Sequence, residues 1–490
     1  MASGSSTAAA PATVPRVRGA ALRRALPVAT ALGVAALMRV VYDPWYLNYD
    51  ARYSILWARD AWHGFKPEYN ADFAPTPHPL QTAVASLGLP FGDGGDQLLV
   101  WVALVAFGAL VWLAYRLGAE LFSPWVGAVA AFAALTRPAL ERDALLAYQD
   151  VPFAALVVGA VLVEARRPRR GLPVLALLAL AGLLRPEAWF LSALYVAYCW
   201  RDAPPRARAA ALALAASAPA VWALSDLIMT GDALHSLHGT AALAEEADRR
   251  RHVTQVPYWT AKYFGFTLRE PLLVGIPIGI AFGWLHRRRE SLLPLAAAAA
   301  MTAIFAIGPI FGLPLIGRYI RTPAVLLTLF FGLAVCGWTL LPRGHARRTW
   351  LAAGILAVAV SVAFLPRNAT MLHGLEQRIA RDGRFYSDLR QVGRSSAVRA
   401  AFDACAPLTA ADHRPIPYLR YWLHGDPGSI GTVESGKSPL GRVLLVPRDT
   451  RVPRRFYRDK FPQVAPPVGY RAIYENRSWR VFAAPGCSAS

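Results

Sequence analysis

Apolar residues run through this chain in long blocks separated by short Arg/Pro-rich breaks, without the strict alternation of half-buried strands. A helix needs roughly 20 mostly apolar residues to cross a bilayer. By that measure the pattern predicts eleven spans, at 25–42, 97–115, 122–136, 151–165, 171–184, 187–200, 209–229, 267–285, 291–310, 320–341 and 349–366. Those at 122–136, 171–184 and 187–200 are short, and the last two are divided at Arg185-Pro186-Glu187. After residue 366 the long runs stop. Residues 369–404 then read as helix, and strand-like segments follow at 442–446, 470–474 and 478–482. The expected architecture is mainly α: a polytopic transmembrane helical bundle over 25–366, with a small extracytoplasmic α+β domain over 367–490.

Composition agrees. Of 490 residues, 55% are hydrophobic and 17% charged, against about 25% charged in ordinary soluble domains. The net charge of +21 would suggest nucleic acid were it spread over a soluble surface. Instead the arginines gather in the N-terminal arm (1–24) and in every second connection: 166–170, 201–208, 287–289 and 343–348. Basic short loops face the cytoplasm, so no nucleic-acid partner is expected. Segment 25–42 has a basic flank like a signal peptide but no small-residue cleavage site before Tyr42, and reads as an anchor. With eleven spans the N-terminus is cytoplasmic and residues 367–490 lie outside. Of the four cysteines, Cys405 and Cys487 fall in that region, where an oxidising exterior would permit a disulfide; two unpaired thiols are the alternative.

This topology collects ionisable residues on the outer side. The first outer loop (43–96) opens with a surface helix over 50–63, with Asp50 at its N-terminus as an expected cap. Asp150 stands at the mouth of the fourth span, Arg185 and Glu187 at the outer end of the fifth, and Arg318, Tyr319 and Arg321 at the start of the tenth. Ionisable groups at membrane depth are costly and by default indicate function. Carboxylates beside guanidiniums suit a reaction that needs a base and a held phosphate. Snorkelling arginines with counter-ions are the plainer reading.

The order Asp50-Ala51-Arg52-Tyr53, Ala58, Gly64, Pro75-Thr76-Pro77-His78-Pro79, then Asp150-Val151-Pro152, Leu184-Arg185-Pro186-Glu187 and Thr230-Gly231-Asp232, resembles the GT-C superfamily of integral-membrane glycosyltransferases. That superfamily includes protein O-mannosyltransferases and lipid A aminoarabinose transferases. The resemblance spans about residues 25–345. It implies an enzyme of the bacterial plasma membrane that moves a sugar from a polyprenyl-phosphate carrier to an acceptor hydroxyl, with inversion. Asp50 would be the general base, with Asp150 positioning the acceptor or the Asp50 loop. Arg185 and Arg318 would stabilise the phosphate leaving group, and Glu187 would hold Arg185. Tyr53, His78 and Tyr319 are further candidates for substrate contact. One departure is that Ala51 follows Asp50 where many members carry a second acidic residue. A divalent metal is therefore conceivable but unsupported, and no cofactor is expected.

His235, His238 and His252, in the outer loop 230–266, lack a metal-ligand spacing. Residues 240–252 of that loop suggest a short surface helix, a gate or a plain connector. No phosphate-binding glycine loop points to a soluble nucleotide-sugar donor. Membrane lipids are expected partners, and the acceptor could be a glycan, a lipid or a protein. Residues 367–490 carry 20 Lys+Arg against 10 Asp+Glu, which suits an acidic acceptor or anionic head groups. The competing reading is a transporter or flippase of lipid-linked sugars. A transporter more often keeps its charges near the midplane between repeated halves, and no internal repeat is visible.

Overall fold

The computed structural model describes residues 17–42, 46–434, 436, 440–449, 452 and 464–487, so most of the N-terminal arm, and Asp43 to Trp45 ahead of the first surface helix, lie outside the described residues. The helices of the first half are α1 (Val17–Val41), α2 (Tyr49–Trp62), α3 (Pro79–Ser86), α4 (Asp96–Leu121), α5 (Pro124–Leu135), α6 (Pro138–Leu145), α7 (Asp150–Arg166), α8 (Leu172–Gly182), α9 (Glu187–Cys199) and α10 (Pro205–Thr230). The second half adds α11 (His235–Glu246), α12 (Val256–Leu268), α13 (Leu272–His286), α14 (Arg288–Ile307), α15 (Arg321–Cys336), α16 (His345–Ala363), α17 (Leu365–Arg394), α18 (Ser396–Cys405) and α19 (Ile416–Trp422).

Every predicted apolar block is helical, but their number as crossings is lower than the hydropathy pattern implies. Among the described residues, five helices are long and apolar enough to span a bilayer, and up to seven if the bent pairs α6/α7 and α12/α13 each count as one. The blocks at 122–136 and 171–184 form helices of only 12 and 11 residues. A helix rises about 1.5 Å per residue, so each covers roughly half of the hydrocarbon thickness. Residues 183–186 separate α8 from α9, making two helices of the Arg-Pro-Glu region.

The bundle is built around α4 and α15, with α1, α5 and α7 packed on α4 and α13 on α15. Small residues allow the close approach. A Cβ on Gly279 would meet the Phe330 carbonyl oxygen at 1.6 Å, and one on Gly127 the Tyr115 carbonyl at 2.3 Å. In membranes such contacts replace the hydrophobic drive that water would supply. At the periphery, α10 and α16 turn Leu212, Val221, Leu224, Ile355, Leu356 and Val362 outward. Apolar side chains exposed along long helices fit acyl chains, and the chain is a multi-pass membrane protein.

Beyond α16 the chain leaves the bundle along α17 and folds a five-stranded sheet. Its strands are β1 (Leu408–Ala410), β2 (Ile430–Thr432), β3 (Val443–Pro447), β4 (Arg471–Glu475) and β5 (Trp479–Ala483). Their order is β2-β1-β3-β5-β4, with β2, β1 and β3 parallel and β5 antiparallel to both β3 and β4. The first two strands have three residues each, too short for a burial pattern to betray them. A disulfide joins Cys405, at the end of α18, to Cys487 after β5.

This region grips α2. Arg420 of α19 pairs with both oxygens of Asp60 at 2.6 Å, both side chains almost fully buried. Arg59 donates to the carbonyls of Arg420, Tyr421 and Gly425. Arg52 is buried with its guanidinium over Tyr421 at 4.8 Å, Tyr418 at 5.2 Å and Trp422 at 5.3 Å, and donates to Asp96 at 3.1 Å. Cations on aromatic faces gain most where water is excluded.

Candidate active site

The surface helix after α1 forms, but its cap is not Asp50. Asn48 is the N-cap, its side-chain oxygen accepting from Ala51 N–H at 3.1 Å. Asn48 also donates from its backbone N–H and side-chain amide to the Leu146 carbonyl, at 2.9 and 2.7 Å. A single side chain thus starts α2 and ties it to the turn between α6 and α7. That tie brings Asp50, in the first turn of α2, near Asp150, in the first turn of α7. The 116° bend between α6 and α7 turns Asp150 toward the bundle end instead of along it.

Two arginines join the carboxylates. Arg318, in the single turn Gly317–Ile320 that leads into α15, reaches Asp50 Oδ2 with both terminal nitrogens at 3.2 Å and Asp150 Oδ2 at 3.4 Å. Arg185, in the break between α8 and α9, pairs with Asp150 Oδ1 and with Glu187, which its Nε meets at 3.2 Å. Each guanidinium lies on an aromatic ring, Arg185 on Tyr319 at 4.1 Å and Arg318 on Tyr148 at 4.3 Å.

The carboxylates differ in accessibility. Asp150 has a 3% exposed side chain with each oxygen taken by a different arginine, whereas Asp50 is 19% exposed and engages Arg318 through Oδ2 alone. Among the described residues Asp50 Oδ1 has no hydrogen-bond partner. Asp150 therefore has the arrangement of an organising group, and Asp50 has a free lone pair toward solvent. Formal charges of three carboxylates and two guanidiniums nearly cancel.

His78 precedes α3 and is buried, with Gln149 at 2.7 Å from its Nε2 and Trp222 edge-on at 5.8 Å. Burial lowers its pKa to about 4, with Asp50 and Asp150 opposing and Arg185 and Arg318 reinforcing the shift. If the Gln149 amide donates to Nε2, the proton of the neutral ring sits on Nδ1, which has no partner in its buried setting. Tyr53 lies elsewhere: it is fully buried in an aromatic ladder, 5.0 Å from Tyr49 and 5.3 Å from Trp57.

Sequence reasoning overlooked Asn48, Tyr148 and Gln149. It also underrated Arg321, whose Nε donates to the fully buried Asp143 at 2.9 Å and whose Nη1 bonds Thr267, bracing the segment that carries Arg318. The three loop histidines stay apart. His235 faces the Tyr69 carbonyl and His238 pairs with Asp232. The expected helix over 240–252 is α11, which begins earlier and ends at Glu246. Between it and residues 69–77 lies a cleft of about 160 Å³ lined by Asn70, Asp72, His235, Thr240 and Glu246.

No protein-family model matches the chain, and neither does any curated protein. Two solved structures are similar across nearly its whole length. One is ArnT from Cupriavidus metallidurans bound to undecaprenyl phosphate, at a TM-score of 0.59 and 16% identity, covering 96% of this chain and 100% of the other. The other is the same protein in the apo state, at a TM-score of 0.53, 14% identity and the same coverage. The chain shares the fold of these two structures over nearly its whole length.

Proposed function

We propose that this chain is a membrane glycosyltransferase that moves a sugar from a polyprenyl-phosphate carrier to an acceptor hydroxyl. One observation carries the reading: an accessible carboxylate with an unshared oxygen stands beside two guanidiniums, at the end of a bundle with the fold of a protein solved with undecaprenyl phosphate. The displacement follows from that layout. Asp50 Oδ1 takes the proton of the acceptor hydroxyl as its oxygen bonds to the anomeric carbon. The bond from that carbon to the phosphate oxygen breaks, and polyprenyl phosphate leaves with the electron pair. One displacement inverts the anomeric configuration.

Arg318 and Arg185 supply the charge where the leaving phosphate becomes more negative, which lowers the barrier more than an equal attraction to the bound donor would. Their aromatic platforms, Tyr148 and Tyr319, limit guanidinium motion. Glu187 keeps Arg185 aimed, and Asp150 holds both arginines, so its task is positioning. In this reading residues 25–366 are the catalytic unit and the Asp50 end of the bundle faces outside, a reading supported by the arginine-rich short connections of the sequence. The net positive charge of residues 367–490 favours an acidic glycan or lipid surface as partner.

The test uses the purified chain in proteoliposomes with a radiolabelled polyprenyl-phosphate sugar and a membrane extract as acceptor source. Label appearing in a product free of the polyprenyl carrier supports the transferase. Label that stays on the carrier but changes leaflet would instead identify a flippase.

A further inference from the structure

A second polar centre lies outside the cluster just described. Strands β1 and β2 run parallel with Ala410 aligned to Thr432. Two residues beyond that pair, both strands end in an acid, Asp412 after β1 and Glu434 after β2. His413 follows Asp412. Carboxyl ends of adjacent parallel strands are a recurrent place for ligands, because the chain diverges there and leaves side chains pointing into one crevice. Here one ligand atom from each of Asp412, His413 and Glu434 lies within 4.8 Å of the others, the only such group of three among the described residues.

The protein's own partners do not use up these donors. Asp412, 3% exposed, accepts the Arg414 backbone N–H at 2.7 Å through Oδ1. Glu434 accepts from His413 through Oε2 alone, at 2.6 Å from the ring Nδ1 and 3.1 Å from the backbone N–H. Asp412 Oδ2 and Glu434 Oε1 have no hydrogen-bond partner among the described residues. Two carboxylates thus face one imidazole, Asp412 buried and His413 and Glu434 partly exposed, with Arg414 as the neighbouring cation. The imidazole is held by stacking on Phe73, at 4.5 Å and 16°, and by the edge of Tyr49 at 5.4 Å. A ring held in place and short carboxylates form a donor set ready to receive a cation.

We propose that Asp412, His413 and Glu434 bind one divalent transition-metal ion through an imidazole nitrogen and two carboxylate oxygens. Mixed nitrogen and oxygen donors suit zinc-like ions, whereas Mg²⁺ and Ca²⁺ prefer oxygen alone. Both rings that hold His413 belong to the segment around Asp50: Tyr49 precedes it, and Phe73 accepts the Tyr49 hydroxyl through its carbonyl at 3.1 Å. The ion would therefore fasten the sheet to the start of α2 without entering the charged cluster.

The test takes the full-length, tag-free chain, stripped with a chelator and dialysed against Zn²⁺ alone. Elemental analysis should find about one zinc per chain, and competition with a chromophoric chelator should show affinity weakened roughly tenfold or more in Glu434→Gln and in His413→Asn. X-ray absorption on the wild-type chain should show a nitrogen/oxygen shell near 2.0–2.2 Å and no sulfur. This second measurement decides the matter even if a variant folds poorly. Substoichiometric zinc, a sulfur shell pointing to Cys199 or Cys336, unchanged affinity in both variants, or preference for Mg²⁺ over Zn²⁺ would overturn the proposal.

Discussion

Replacing each of the two central aspartates by asparagine should separate chemistry from architecture. The Asp50→Asn amide keeps the side-chain shape, and its oxygen can still accept from Arg318, which also retains Asp150 at 3.4 Å. With a side chain 19% exposed, the lost charge should cost stability about 1 kcal/mol or less. The lost base should cost transfer about a hundredfold to ten-thousandfold. Asp150→Asn has the opposite profile. That carboxylate is 3% exposed and serves Arg185 with one oxygen and Arg318 with the other. Removing its charge leaves the buried Arg185 and the partly exposed Arg318 short of a partner, a change of about 3 kcal/mol. Melting of the detergent-solubilised protein, read by intrinsic fluorescence, and initial rates of transfer from labelled polyprenyl-phosphate sugar at saturating donor measure both axes. Correctly folded Asp50→Asn protein with more than about a tenth of the wild-type rate would fall outside what a lost base allows and remove Asp50 from the mechanism. A larger stability loss in Asp50→Asn than in Asp150→Asn would refute the division of roles.

Arg185→Lys keeps the charge but loses the planar fork that engages Asp150 and Glu187 and the stacking on Tyr319; kcat should fall, since lysine presents a point charge to the phosphate, and melting should drop by less than in Asp150→Asn. For His78, an ordinary pKa of 6.5 when unfolded and about 4 when folded means that the unfolded chain binds more protons between those values. Stability should therefore drop by about 3 kcal/mol as pH falls from 6.5 to 4, and His78→Gln should flatten that part of a melting-versus-pH curve. Arg420→Ala removes the cation whose Nη2 bridges both oxygens of the buried Asp60; a loss of about 3–5 kcal/mol together with slower transfer would show that α19 holds α2 in register. Cys405→Ser opens a disulfide separated by 82 residues, for which the loop-entropy relation gives about 4.5 kcal/mol, measurable as lower melting of both the variant and the reduced wild-type chain.

Much of this molecule is decided locally. Apolar blocks of the right length must be helices in a bilayer, because no other conformation satisfies the backbone without water, and each predicted block is one. Asp50, Asp150, Arg185, Glu187 and Arg318 were readable because charges that interrupt apolar runs have few cheap explanations. The strands β3, β4 and β5 also appeared within a residue or so of the segments read from sequence. Hydropathy could not settle how many helices cross, since a 12-residue helix such as α5 can be as apolar as a full span.

Contacts with a distant partner are visible only in the tertiary structure. Asp50 looked like a cap until Asn48 took that task and bonded to Leu146, 98 positions away. Tyr148 and Gln149 gain meaning only from Arg318 and His78. Arg52, which follows Asp50 and Ala51 and drew no assignment from the sequence, proves to be the buried cation in an aromatic cage supplied by α19. Asp412 and Glu434 meet because two three-residue strands pair in parallel, a pattern too short to leave a period. The amino-acid sequence by itself determined the helices and the list of charged residues. Which carboxylate keeps a free oxygen depends on burial and on partners far along the chain, and only the packed structure decides that.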